Sequence, residues 1–285
     1  MSRRFLVSAV FVLLAFARGV TAQQVGPKNG SLVIVGGAMR DPAIVEKFIE
    51  LAGGPSALIV IIPTAGGGDD DDYDQDCRCL RQFRAAGAKN LTVLHTYDRN
   101  EAQTDAFVRP IHEAGGVWFS GGRQWRLADS YLNTKTHEEL WALLDRGGVI
   151  GGSSAGATIQ GSYLARGDTR TNTIMMGDHE QGLGFVKNVA IDQHLLRRNR
   201  QFDLLEITAA RPDLLGIGID ENTAIVVQGD EFEIIGKSYV VIYDSQKQID
   251  SGGDFYFLRA GDRFNLATRE ALRGESNIER VVERR

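Results

Sequence analysis

Gly152-Ser153-Ser154-Ala155-Gly156 sets a serine among small residues directly after the apolar stretch Gly147-Gly148-Val149-Ile150. The pattern is G-x-S-x-G, in which a sharp strand-to-helix turn lifts the central hydroxyl clear of a sheet and only small neighbours let the backbone pass. Ser154 is therefore favoured over Ser153 as a nucleophile. The amide of Ala155 would open the following helix, where it can hold developing negative charge. The same glycines also suit a bare turn before a helix, binding a phosphate or nothing. No Lys follows to make a P-loop, and no G-x-G-x-x-G follows the first apolar run.

A serine hydroxyl at neutral pH needs a base, usually histidine. Of the five histidines, His112 and His137 lie in amphipathic helical stretches and read as surface residues, and His179 lies in the polar MGDHEQG loop. His95 ends a strand and stays open as a candidate. His194 follows the apolar VAID and precedes LLRRNR, a strand-to-helix junction like that of Ser154, and is the best-placed base. For the carboxylate that orients it, two candidates stand. Glu221 follows the strand-like GIGID with a hairpin behind it; Asp168, in LARGDTRT, gives the chain order Ser…Asp…His but sits in a polar loop. The commonest fate of either is simple exposure.

These residues need a scaffold. LVIVGG (Leu32 to Gly37), ALIVIIPTAG (Ala57 to Gly66), NLTVLHTYD (Asn90 to Asp98), GVWFSGG (Gly116 to Gly122) and GVIGGSSAG (Gly148 to Gly156) read as strands. PAIVEKFIELAGG, CRCLRQFRAAGA, RPIHEAG and HEELWALLDRGG, between them, read as helices. Continuous apolar strands alternating with such helices predict a doubly wound α/β fold, a mostly parallel sheet with helices on both faces. From Gly216 to Asp244 several strands follow without room for helices, which predicts hairpins at one end of that sheet. The residues after Asp244 predict a hairpin and a final helix.

With 285 residues, 43% of them hydrophobic, the chain supports one large core, and apolar blocks separate its 33 glycines, so a disordered chain is excluded. Residues 1–22 read as a secretory signal peptide, leaving 23–285 as a single domain. Arg3 and Arg4 precede an apolar run from Phe5 to Ala17, too short for a membrane anchor and closed by Arg18, and Val20-Thr21-Ala22 offers small residues for cleavage. Cleavage removes those three arginines and no acid, taking the formal charge from −5 to −8. Such a balance excludes the basic footprint of a nucleic-acid binder.

Cys77 and Cys79 are the only cysteines. One intervening residue makes a disulfide between them awkward, and C-x-C without a second pair lacks zinc spacing, so they read as two thiols open to an intermolecular bridge. The run Asp69 to Asp72 lacks EF-hand spacing and reads as a solvated loop, or as a lure for a cationic substrate at a strand's C-terminal end.

Four blocks together carry a resemblance: FSGGRQWRL (Phe119 to Leu127), GGSSAGA (Gly151 to Ala157), IDQHLLRRNR (Ile191 to Arg200) and GIGIDENTAI (Gly216 to Ile225). On these the chain resembles the cyanophycinase-like serine peptidases, relatives of aspartyl dipeptidase E with a fold like class I glutamine amidotransferases, from about Ser31 to Asp244. The resemblance implies Ser154 as nucleophile, His194 as base, Glu221 as the orienting acid with Asp168 as alternative, and Gly122 beside Ala155 in the oxyanion hole. It implies substrate contacts for Gln124, Asp192, Gln193, Arg198 and Arg200, a peptide substrate such as cyanophycin, and a homodimer. Two departures stand out: Arg123 occupies a position where cyanophycin-cleaving members carry Asp, and Asp203 stands where a further arginine is expected. The expected protein is a secreted serine hydrolase of β-aspartyl or related peptide bonds, with no metal or organic cofactor. An esterase or amidase of another substrate class, and an inactive binding protein, are the alternatives.

Overall fold

A computed structural model describes residues 24–68, 73–247 and 253–272. The predicted signal peptide and the acidic run Asp69 to Asp72 lie outside them. Five strands, β1 (Ser31–Val35), β2 (Leu58–Ile62), β3 (Asn90–Val93), β4 (Gly116–Phe119) and β5 (Val149–Ser153), pair in parallel in the order β1-β5-β4-β2-β3. Alternate residues of a strand face opposite sides, and here both sides are covered, which is why these strands read as unbroken apolar runs.

On one face Val33, Val35, Ile59, Ile61 and Trp118 pack against Phe48 of α1 (Pro42–Leu51) and Phe83 of α2 (Arg81–Ala85). Those three aromatic rings meet edge to face with centroids 4.9–5.9 Å apart, each pair adding about 1 kcal/mol beyond its burial. On the other face Ile34, Val60 and Phe119 meet Phe107 and Ile111 of α3 (Asp105–Glu113) and Leu140 and Leu143 of α5 (Lys135–Asp145). In chain order α4 (Gln124–Tyr131) comes between these two helices, just after the Gly121-Gly122 turn.

The hairpin strands depart from the predicted single sheet. β9 (Thr223–Gln228) runs antiparallel to β1 on its free edge, followed by β10 (Glu231–Gly236), β13 (Arg263–Asn265) and β14 (Glu270–Leu272), giving a nine-stranded mixed sheet. A second, five-stranded sheet has the order β12 (Tyr256–Arg259), β11 (Tyr239–Asp244), β8 (Leu215–Ile219), β7 (Val186–Gln193) and β6 (Gly161–Tyr163), with β6, β7 and β8 parallel and the rest antiparallel. One face of this second sheet, with Val189, Ile191, Ile217 and Ile219, joins the α3/α5 core; the other packs on α7 (Leu204–Ala210). The segment expected to end in a helix forms the short strands β12, β13 and β14 up to Leu272.

Cys77 and Cys79 form a disulfide, which corrects the reading of two free thiols. The tight turn at Arg78–Leu80 brings their Cα atoms to 5.2 Å, inside the range a bridge tolerates.

Candidate active site

Three successive carbonyls at the end of β1 assemble the site. Val35 O accepts from Ser154 N (3.0 Å), Gly36 O from His194 N (2.9 Å) and Gly37 O from Asn222 N (2.8 Å). Because β1 is the central strand, with β5 on one side and β9 on the other, its end is where chain segments distant in sequence can share one template. Gly37 is required there: its φ is +136°, and a Cβ would stand 2.3 Å from His194 Cε1.

Ser154 follows β5 and caps α6 (Ala155–Thr158) with φ +59° and ψ −114°. Positive φ at a non-glycine residue is strained, and such strain is what turns the side chain out of the sheet. His194, directly after β7, also has positive φ, +55°. The chain after it is a run of turns rather than the predicted helix, and α7 starts only at Leu204. Ser154 Oγ lies 2.8 Å from His194 Nε2, and His194 Nδ1 lies 2.8 Å from Glu221 Oε1. A carboxylate at Nδ1 fixes the proton there and leaves Nε2 as the acceptor for the serine hydroxyl.

Burial holds the His194 imidazole below the ordinary histidine value; the charges of Arg198 and Arg200 push the same way, while Glu221 opposes them. A base works in its neutral form, so lowering its pKa extends activity toward acid. The acid limb of kcat/KM is expected to have its midpoint below 6.5, and Arg198→Gln is expected to move that midpoint upward. A pH–rate profile of the two proteins checks both.

Asp168 does not reach the histidine. Its carboxylate accepts from the amides of Arg170 and Thr171, each at 3.0 Å, and lies 3.4 Å from the Arg170 guanidinium. Against the effect of burial, those amides hold its carboxyl below the ordinary aspartate value. It closes its own loop, so the orienting carboxylate in the structure is Glu221.

The predicted oxyanion donors flank the serine: Ala155 follows Ser154 at the start of α6, and Gly121, the neighbour of Gly122, packs against it, a Cβ there lying 3.3 Å from Ser154 Cβ. Gly122 has φ +147°, and a Cβ on it would collide with Ala65 O at 1.9 Å.

Of the predicted substrate contacts, four are buried and engaged with the protein itself. Gln124 is fully buried, and its amide nitrogen donates to Ala165 O (2.8 Å) and Arg166 O (2.9 Å). Gln193 gives both its backbone and side-chain oxygens to Arg200 Nη1, at 3.1 and 3.0 Å. Asp192, with no exposure, accepts a two-pronged bond from Arg166 Nε (2.7 Å) and Nη2 (2.9 Å). Buried polar groups normally find partners within the protein, and most of these do; Gln124 Oε1 is buried without one. Arg198 alone of the five is exposed.

Arg166 was missed because it lies in a polar loop that reads as solvated. It is 2% exposed, has φ +57°, and also reaches Asn172 O (3.0 Å) and the carboxylate of Asp203. This explains one departure: Asp203 balances the buried Arg166. The other departure is structural too, since Arg123 donates to Asp168 O (2.5 Å) and Thr171 O (2.8 Å), tying the loop to the Gly121-Gly122 turn.

The other histidines stand apart. His95 bonds Thr64, His112 is exposed, and His179 sits between Asp129 and Asp178. His137, read as a surface residue, is partly buried and bonds Leu183 O. Among the described residues no cluster of His, Cys, Asp or Glu could hold a metal ion, and no helix is long and apolar enough to cross a membrane.

Comparison with known proteins gives this geometry a family. A cyanophycinase of Geminocystis herdmanii is 32% identical over 267 residues, 86% of this chain and 97% of that protein. A cyanophycinase of a Nostoc species is 31% identical over 214 residues, 68% and 72% of the two. Among solved structures, a peptidase from an acI-B1 Actinobacterium superposes with a TM-score of 0.63 at 25% identity, covering 86% of this chain and 98% of that one. A Listeria monocytogenes protein described as a peptidase E shares the fold, with a TM-score of 0.52 at 16% identity over 73% of this chain and 99% of its own. The profile of peptidase family S51 matches residues 32–235, a span that runs from β1 into β10 and takes in Ser154, His194 and Glu221. The chain belongs to that family and is a serine-type, cyanophycinase-like peptidase.

Proposed function

We propose that the protein is a secreted peptidase that hydrolyses β-aspartyl isopeptide bonds, in cyanophycin or a related aspartyl peptide, through an acyl-enzyme. The observation that carries it is the pair of 2.8 Å contacts joining Ser154, His194 and Glu221 at a strained serine turn. Ser154 Oγ attacks the scissile carbonyl as its proton passes to His194 Nε2. The amides of Gly122 and Ala155 hold the oxyanion, where losing one donor typically costs about 10²- to 10³-fold in kcat. Collapse breaks the C–N bond, the leaving amine takes the proton from His194, and water, activated by the same base, releases the acid. Glu221 keeps the imidazole in the required tautomer and stabilises its charged form.

Secretion draws support from the arginine-led apolar N-terminus and from the Cys77–Cys79 bridge, since disulfides persist in oxidising compartments. The test is product release from insoluble cyanophycin and from β-aspartyl dipeptides by the mature protein, beside Ser154→Ala. Serine-dependent release of β-Asp-Arg supports the cyanophycin reading. Silence on cyanophycin with cleavage of other β-aspartyl peptides assigns the related substrate, and silence on the whole panel defeats the proposal.

A further inference from the structure

A groove of about 630 Å³ opens beside the nucleophile on the α1/α2 side of the first sheet. Gly121 and Ser153, the neighbours of Gly122 and Ser154, form its inner end; Met39 and Trp118 line it, with Arg78 and Arg81. Its volume is that of a site for a small ligand or a residue or two of peptide. A chain whose carbonyl lies at Ser154 therefore has somewhere to send its neighbouring residue.

We propose that this groove is a subsite for a carboxylate-bearing residue of an acidic peptide, next to the scissile bond. The inference rests on the serine-peptidase reading above and adds to it the group that is recognised and the residues that recognise it.

Charge is the first argument. Among the described residues, the groove lining contains two arginines and no acid. Both arginines are exposed, and neither guanidinium makes an ion pair or hydrogen bond among the described residues. By contrast, Arg123, Arg166 and Arg200 are bonded to protein oxygens. A free guanidinium presents a planar fork that matches a carboxylate with two parallel bonds.

The second is preorganisation. Arg78 is the one residue between the bridged Cys77 and Cys79, and Cys79 itself lines the groove. The bridge closes a small ring around the Arg78 backbone and limits what that backbone can lose on binding, which favours affinity. The disulfide thereby acquires a role in presenting a cation.

The deciding experiment measures binding, so that it does not depend on turnover. Titration calorimetry with an end-blocked tetra-aspartate peptide would compare Ser154→Ala with Ser154→Ala carrying R78Q and R81Q, and with Ser154→Ala carrying R109Q. Arg109 is an exposed cation of α3 outside the groove. The expected result is a Kd at least tenfold weaker for the R78Q/R81Q protein, no change for R109Q, loss of affinity in salt, and no binding of the tetra-asparagine peptide. An unchanged Kd in the R78Q/R81Q protein, or equal binding of tetra-asparagine, overturns the subsite. Labelling of Ser154 in the wild type by a neutral fluorophosphonate reports separately on the serine chemistry. Absence of labelling would sink the peptidase mechanism while leaving the binding result to decide the groove.

Discussion

Ser154→Ala is expected to lower kcat on a cleaved peptide by about 10⁶-fold and to abolish fluorophosphonate labelling, the scale of loss when a nucleophile is removed from a working triad. Glu221→Gln is expected to cost about 10⁴-fold, because an amide at Nδ1 can favour the wrong imidazole tautomer while leaving the geometry in place. Asp168→Asn supplies the contrast. Its carboxylate serves the amides of Arg170 and Thr171 and does not touch His194, so kcat should stay within a few-fold of wild type. Steady-state kinetics of the three variants check this, and an Asp168→Asn loss as large as that of Glu221→Gln would reverse the assignment.

Arg166→Met is expected to destabilise the fold by about 3–5 kcal/mol, the cost of leaving a buried ion without its partner. The guanidinium is 2% exposed and satisfies Asp192, which has no exposure, while also meeting Asp203 and Asn172. A loss of that size lowers Tm by roughly 10 °C in a domain of this size. Arg166→Met combined with Asp192→Leu should lose less than the sum of the two single variants, since the second change removes the stranded charge. Thermal melts of the four proteins decide it, and wild-type stability in Arg166→Met would show that the cluster contributes nothing.

The triad was legible because each member directly follows an apolar run: Ser154 after β5, His194 after β7, and Glu221 just beyond β8. Loops at the C-terminal ends of strands are where α/β proteins place chemistry, and that rule needs no tertiary information. The choice between Glu221 and Asp168 did need it, since both are carboxylates near turns and only the pairing of β7 with β8 brings one to the imidazole. The second sheet was illegible for the same reason: periodicity tells strand from helix but not which strands become neighbours. Arg166 was hidden because its burial is set by Asp192 and Asp203, 26 and 37 residues further on. The Cys77–Cys79 bridge was hidden by a local turn whose tightness the C-x-C spacing alone does not reveal.

The templating end of β1 touches both sheets. Ser154 is delivered by the first sheet, His194 by the second, and Glu221 by the connection from β8 to β9 that passes between them. Neither sheet by itself therefore owns a complete reactive centre. A nascent chain that has emerged only as far as β5 carries a serine with no base. Hydrolytic competence arrives when the two sheets dock, so the activity is itself a reporter of finished assembly, and a half-built molecule is chemically silent without needing an inhibitory segment.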